Sequence, residues 1–162
     1  KKKKKIEIVI NEFKKKKKLD LIFDLPIFKF RNKEIKKKFE QKKFIISSWP
    51  RFTPQSCISI KKKFATEAFK ILKINRFETI WFDFRVAVYY FLKKNNIHIL
   101  KKYLTYYRQL DNSASKKYKI FNKDWWHRRK QAHEFVSFIN KKLKQKDNTN
   151  VDKIMTKIMN AF

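Results

Sequence analysis

Apolar positions along this chain fall into two rhythms. Ile6, Ile8 and Ile10 alternate with Glu7, Val9 and Asn11, and Phe13 follows. That period of two in β-branched residues predicts a half-buried strand over 6–13. The lysine block 14–18 is a solvated turn or helix start. Residues 19–30 are apolar but broken by Asp20, Asp24 and Pro26, which suggests a short helix or loop. Ile35 and Phe39 on a Lys-rich background predict a helix over 32–41, and Phe44, Ile45 and Ile46 a short strand. Residues 47–50 make a connection, and 51–60 an extended segment in which Pro54 argues against a central strand.

The clearest helical face lies over 61–73, where Phe64, Ala65, Ala68, Phe69, Ile71 and Leu72 share one side. From 74 to 84 the period returns to two, with Ile80, Phe82 and Phe84 on one side and Phe77, Thr79 and Trp81 on the other, so a strand is expected. Beyond it, 86–94, 97–110 and 124–144 read as helices. Asp124 is the expected N-cap of the last, and 111–115 a turn. Asn148 to Asn150 punctuate the chain before a short helix over 151–159. The fold class expected is therefore α+β, with a strand-bearing domain over 1–84 and a helical extension over 85–162.

Composition narrows the function. The chain of 162 residues is 43% hydrophobic and 17% aromatic, enough apolar material for a packed core. Lys and Arg number 44 against 14 Asp and Glu, a net charge of +30. Such a charge repels itself in a compact chain, and a polyanion relieves the repulsion. Nucleic acid is the common polyanion; a membrane surface is the second candidate and plain solubility the third. Gly is absent while Lys, Ile, Phe and Asn abound, a bias towards A- and T-rich codons that points to an organellar genome. It explains Lys over Arg, but not the shortage of acids. The apolar run 86–92 is far shorter than the roughly 20 residues of a membrane helix.

Candidate chemistry is sparse. One cysteine, Cys57, supports neither a disulfide framework nor a thiolate zinc site. His127 and His133 are six apart, not the four of a helical zinc pair, and His98 stands alone. No carboxylate pair and no Ser, His and Asp grouping stands out, and a phosphate loop needs glycine. No catalytic residue, metal or cofactor is expected. Lys61, Lys62 and Lys63 put three cations at the positive end of a helix dipole, which is unfavourable alone and reasonable beside phosphates. Arg51 and Arg76 flank that helix. Trp125 and Trp126 precede His127, Arg128, Arg129 and Lys130, a mixture that suits unpaired bases or a phosphate backbone, although at least one Trp is expected in the core. The candidate RNA contacts are Arg51, Lys61, Lys62, Lys63, Arg76, Arg128, Arg129 and Lys130.

The stretch 50–80 resembles the ribosomal small-subunit protein S-ten family in a divergent organellar form. The resemblance is carried by Arg51-Phe52-Thr53, Ser59, Lys62-Lys63, Glu67-Ala68-Phe69, Ile71, Arg76 and Ile80, with Lys5-Ile6-Glu7-Ile8-Val9-Ile10 similar to the family's opening strand. Ser59-Ile60 stands where the family has a Ser-Pro step. The resemblance implies a ferredoxin-like α+β domain with a long loop over 44–60, in which Trp49, Pro50, Phe52 and Pro54 touch protein neighbours. It also implies a structural role in a mitochondrial (or, second, plastid) small ribosomal subunit, with ribosomal RNA and neighbouring small-subunit proteins as partners and no small-molecule substrate. A DNA-binding or nucleoid protein and a basic accessory subunit of a membrane complex are the alternatives.

Overall fold

A computed structural model describes residues 2–31, 33–37, 52–73, 76–94, 96–110, 113 and 117–161. The chain is α+β and runs α1 (Lys2–Lys15), β1 (Leu21–Phe30), β2 (Lys33–Lys36), β3 (Ile58–Ile60), α2 (Lys62–Leu72), α3 (Phe82–Leu92), β4 (Ile97–Arg108), α4 (Lys123–Lys142) and α5 (Val151–Met159). This order is not the βαββαβ of a ferredoxin-like domain.

The segment read as a short helix or loop, 19–30, is the central strand. β1 pairs in parallel with β4 along its length, and antiparallel with β3 at 21–23 and β2 at 27–30. β2 and β3 therefore lie end to end on the edge opposite β4. The first seven residues of β1 are all buried. Leu21 and Phe23 join the larger core, and Ile22 packs with Val9, Leu19 and Leu100 beneath α1. A strand covered on both faces reads as a continuous apolar run rather than an alternation. Pro26 is tolerated because the β1–β4 register shifts between Leu25 and Pro26, where a bulge removes the need for its missing N–H.

Three other expectations are corrected. Residues 6–13 are helical: Ile8, Val9 and Phe13 turn to the sheet, while Ile6 and Ile10 stay exposed. The alternating isoleucines straddle a helical stripe instead of forming a strand face. Residues 97–108 are a strand, not a helix, and the two bulges opposite β1 break its period-two signature. Residues 33–36 are strand rather than helix, forming a hairpin with β1. The expected strand over 44–46, the connection 47–50 and most of the turn 111–115 lie outside the described residues.

The expected strand over 74–84 is also absent among the described residues 76–84, which form a turn and the start of α3. Arg85 supplies the reason. Its guanidinium donates to the carbonyls of Leu72 (3.0 Å), Phe77 (2.6 Å) and Ile80 (3.0 Å), gathering the end of α2 and the turn around one cation. Phe77 and Ile80 are buried in the same corner. From Val86 to Tyr90 α3 is enclosed on every side, with Val86, Ala87, Val88, Tyr89 and Tyr90 each at most 1% exposed. The expected boundary at 84/85 falls inside this helix. Residues from both sides of it, from Leu21 to Ile139, share one core. α2, α4 and α5 agree with the periodicity, but α4 is capped by Asn122, not Asp124: the Asn122 side chain accepts from the Trp125 amide at 2.7 Å.

Candidate nucleic-acid interface

α4 carries Ala132, Phe135, Val136 and Ile139 into the core. The same helical geometry aligns Lys130, Glu134, Ser137 and Lys141 in a stripe on another side, at spacings of three and four. α5 meets that side with Lys153, Thr156 and Lys157. Between them lies a groove of about 820 Å³, lined also by Arg76, His133, Phe138, Lys142 and Lys144. Arg76, Lys130, Lys141, Lys142, Lys144, Lys153 and Lys157 thus share the groove with one acid among its described lining residues, Glu134, while Lys153 is paired with Asp147 beside it. All of these cations except Lys153 are exposed at the surface.

A buried clasp holds the two walls together. Asp152, in the first turn of α5, is 7% exposed and accepts from Arg129 Nε at 2.6 Å, with a second guanidinium nitrogen at 2.6 Å. Its other oxygen lies 3.0 Å from His133 Nε2. Lys153 donates to Ser137 Oγ at 2.9 Å and pairs with Asp147 at 2.6 Å. At the far end, the Asn160 side chain donates to the Trp126 carbonyl at 3.0 Å. Burial pushes the His133 imidazole below its ordinary value, and Arg129 and Lys153 push the same way against the pull of Asp152. Burial raises Asp147, but hydrogen bonds from Lys153 and Ser137 outweigh it and hold this carboxyl below the usual range.

The groove brings together only two of the sequence candidates, Arg76 and Lys130. The Arg76 guanidinium lies over the rings of Phe77 (4.8 Å) and Phe138 (5.4 Å) in the groove wall. Arg128 is taken up within the protein: its guanidinium lies 3.8 Å from the centre of the Trp81 ring and 4.5 Å from that of Tyr118, and burial lowers its pKa. Arg129 is held by Asp152 and lies over Trp125 at 4.8 Å. Lys61 donates to the Lys17 carbonyl at 2.7 Å and sits over the Phe13 ring, tying α2 to the end of α1. Lys62 and Lys63 are exposed on the first turn of α2, outside the groove.

Arg51, Trp49 and Pro50 lie outside the described residues. Phe52, expected to face a protein neighbour, instead packs edge-on against Phe84 at 5.6 Å on the main core. Pro54 precedes a 3-10 turn, its carbonyl accepting from the Cys57 amide at 2.8 Å. Lys141, Lys142, Lys144, Lys153 and Lys157 escaped the sequence reading, which weighed contiguous basic runs. Their signal was the recurrence of cations at helical spacing on one side of α4 and α5.

A second polar cluster lies inside the fold. Lys5 of α1 reaches Asp24 at 2.6 Å, Thr105 Oγ1 at 2.6 Å and the Ser56 carbonyl at 2.8 Å. Thr105 donates to the other Asp24 oxygen at 2.7 Å. Cys57, fully buried beside them, has its thiol pushed up to about 12, by burial first and by the Asp24 charge second. Such a thiol is not a nucleophile at neutral pH. Among the described residues, no group of three or more His, Cys, Asp or Glu is placed to hold a metal ion, and no helix is long and apolar enough to cross a membrane. No protein-family model, curated protein or solved structure matches the chain.

Proposed function

We propose that this protein is a structural RNA-binding constituent of an organellar small ribosomal subunit, a mitochondrial one first and a plastid one second. The observation that carries the reading is the α4–α5 groove, where Arg76, Lys130, Lys141, Lys142, Lys144 and Lys157 line the walls with one acid, Glu134, among the described lining residues, in a chain of net charge +30. Lysines on rigid walls neutralise phosphates and release their counterions without reading sequence. The clasp at Asp152 fixes the walls beforehand, so less ordering cost falls on binding. The codon bias supports an organellar setting, and ribosomal RNA with small-subunit protein neighbours supplies the partners. Of the S-ten resemblance, Lys62-Lys63 and Glu67-Ala68-Phe69 remain in a helix with a basic start. Residues 6–13 are helical and the described residues 76–84 form a turn and a helix start where strands were expected, so charge and groove support the reading more than that family does.

Binding of a structured RNA fragment, measured across salt concentrations, tests the mechanism. Replacing Lys130, Lys141 and Lys157 together with Gln lowers the slope of log affinity against log salt by about 2 to 3. An unchanged slope overturns the groove as the contact. Sucrose-gradient fractionation of organelle extract places the chain with the small subunit; migration with membranes or with nucleoid DNA overturns the ribosomal setting.

A further inference from the structure

The loop ahead of α4 offers a second kind of contact. Phe121 is 72% exposed, although its ring lies 5.5 Å from Trp125 and 6.0 Å from Trp126. The loop beneath it is braced. The Tyr118 ring meets Trp81 edge-on, and the Arg128 guanidinium lies against both rings. The Asn122 side chain donates to the Lys117 carbonyl at 2.9 Å and accepts from the Trp125 amide, and the Asn122 amide donates to the Lys119 carbonyl at 3.1 Å. Phe121 itself has a left-handed backbone, φ 69°. In a chain without glycine such positions fall to other residues, and the others described are Arg31, Lys94 and Lys144, all exposed cations. An aromatic ring there is different, because it exposes apolar area from a conformation that costs about 1 to 3 kcal/mol in itself.

We propose that Phe121 is a stacking platform for an unpaired nucleobase of single-stranded RNA. The proposal rests on the RNA-binding reading above and adds the form of RNA recognised. A base has an apolar π-face to lay on the free side of the ring, and its strand carries phosphates. Lys117, Lys119 and Lys123, all exposed, surround Phe121 in sequence and supply the charge complement to those phosphates. As a mere cover for Trp126 the ring could be any apolar side chain; stacking requires an aromatic one.

The test uses the full chain and a short single-stranded RNA carrying one 2-aminopurine, with a blunt RNA duplex of equal length as reference. Wild-type protein quenches the 2-aminopurine emission on binding. Phe121→Leu retains the apolar cover, yet weakens single-strand binding about tenfold and leaves duplex binding unchanged. Phe121→Tyr restores the single-strand affinity. Equal single-strand affinity for wild type and Phe121→Leu, equal loss on both RNAs, or absence of quenching with wild type overturns the platform while the groove reading stands. Failure of wild-type protein to bind either RNA overturns both.

Discussion

Two buried aspartates, Asp24 and Asp152, are solved by the fold in opposite ways. Asp24 sits in the central strand with no exposed surface, between Lys5 from α1 and Thr105 from β4. Its partners come from the sheet and the helix beneath it, and an inert thiol lies alongside. Asp152 sits at the start of a surface helix, between Arg129 and His133, and the lysine-lined groove opens next to it. The first carboxylate locks α1 onto the sheet. The second positions one wall of a charged surface. A buried ion pair thus says little about function until its neighbours are known: the same chemistry fastens a core in one place and a binding wall in the other.

The largest expected effect comes from breaking the inner lock. Asp24→Ala leaves the Lys5 ammonium and the Thr105 hydroxyl without their acceptor, which costs about 3 kcal/mol or more by urea denaturation. Adding Lys5→Met to an Asp24→Leu chain removes the stranded charge and recovers much of that loss. The salt slope of RNA binding stays the same in the double variant, because neither residue lines the groove. A changed slope would mean that α1 and the sheet belong to the interface.

That contrast also explains which parts were legible. α2 and α5 follow a 3.6-residue period and α5 has an Asn at its N-cap, so local rules sufficed. The sheet was hidden because its central strand is covered on both faces and interrupted by Asp24 and Pro26. An acid in such a strand makes sense only with Lys5, nineteen positions earlier, already in place. β4 was hidden by its bulges, and the turn at 76–80 by Arg85, whose three carbonyl partners are a tertiary fact. In the site, Arg76 and Lys130 were legible as cations. That they share a groove with Lys141 and Lys157 depends on how α5 folds back on α4, which one buried aspartate decides.

Breaking the outer clasp is expected to cost less stability and more function. Asp152→Ala removes the carboxylate that accepts from Arg129 and lies beside His133, a loss of about 2 kcal/mol for a hydrogen bond between charged groups. Because α5 then loosens, Lys153 and Lys157 no longer face α4 in fixed positions and RNA affinity falls. Asp152→Asn keeps an acceptor for Arg129 and loses less of both. If stability drops while the RNA affinity of Asp152→Ala matches that of wild type, the clasp is structural only and the groove does not depend on α5.

The smallest effect is the pH dependence that His133 gives the outer clasp. His133 is held below its ordinary value of about 6.5 in the folded chain, mainly by burial, so it stays neutral beside Arg129 and Lys153. As pH falls below 6.5 the unfolded chain takes up a proton that the folded chain refuses. Stability from this group is therefore intact above that pH and declines below it, by at most about 1.4 kcal/mol per pH unit. Asp147, held below the usual carboxylate range, gives up its contribution only at more acid pH, near and below its ordinary value of 3.8. His98 is shifted downward as well, by burial and Lys16, so the comparison must be made against a variant rather than read from one curve. His133→Gln flattens the urea-measured stability between pH 6.5 and 5 relative to wild type, whereas the Asp24→Leu, Lys5→Met chain keeps the wild-type slope there. Parallel curves for wild type and His133→Gln would show that the imidazole titrates alike in both states and that the clasp is not sealed from solvent.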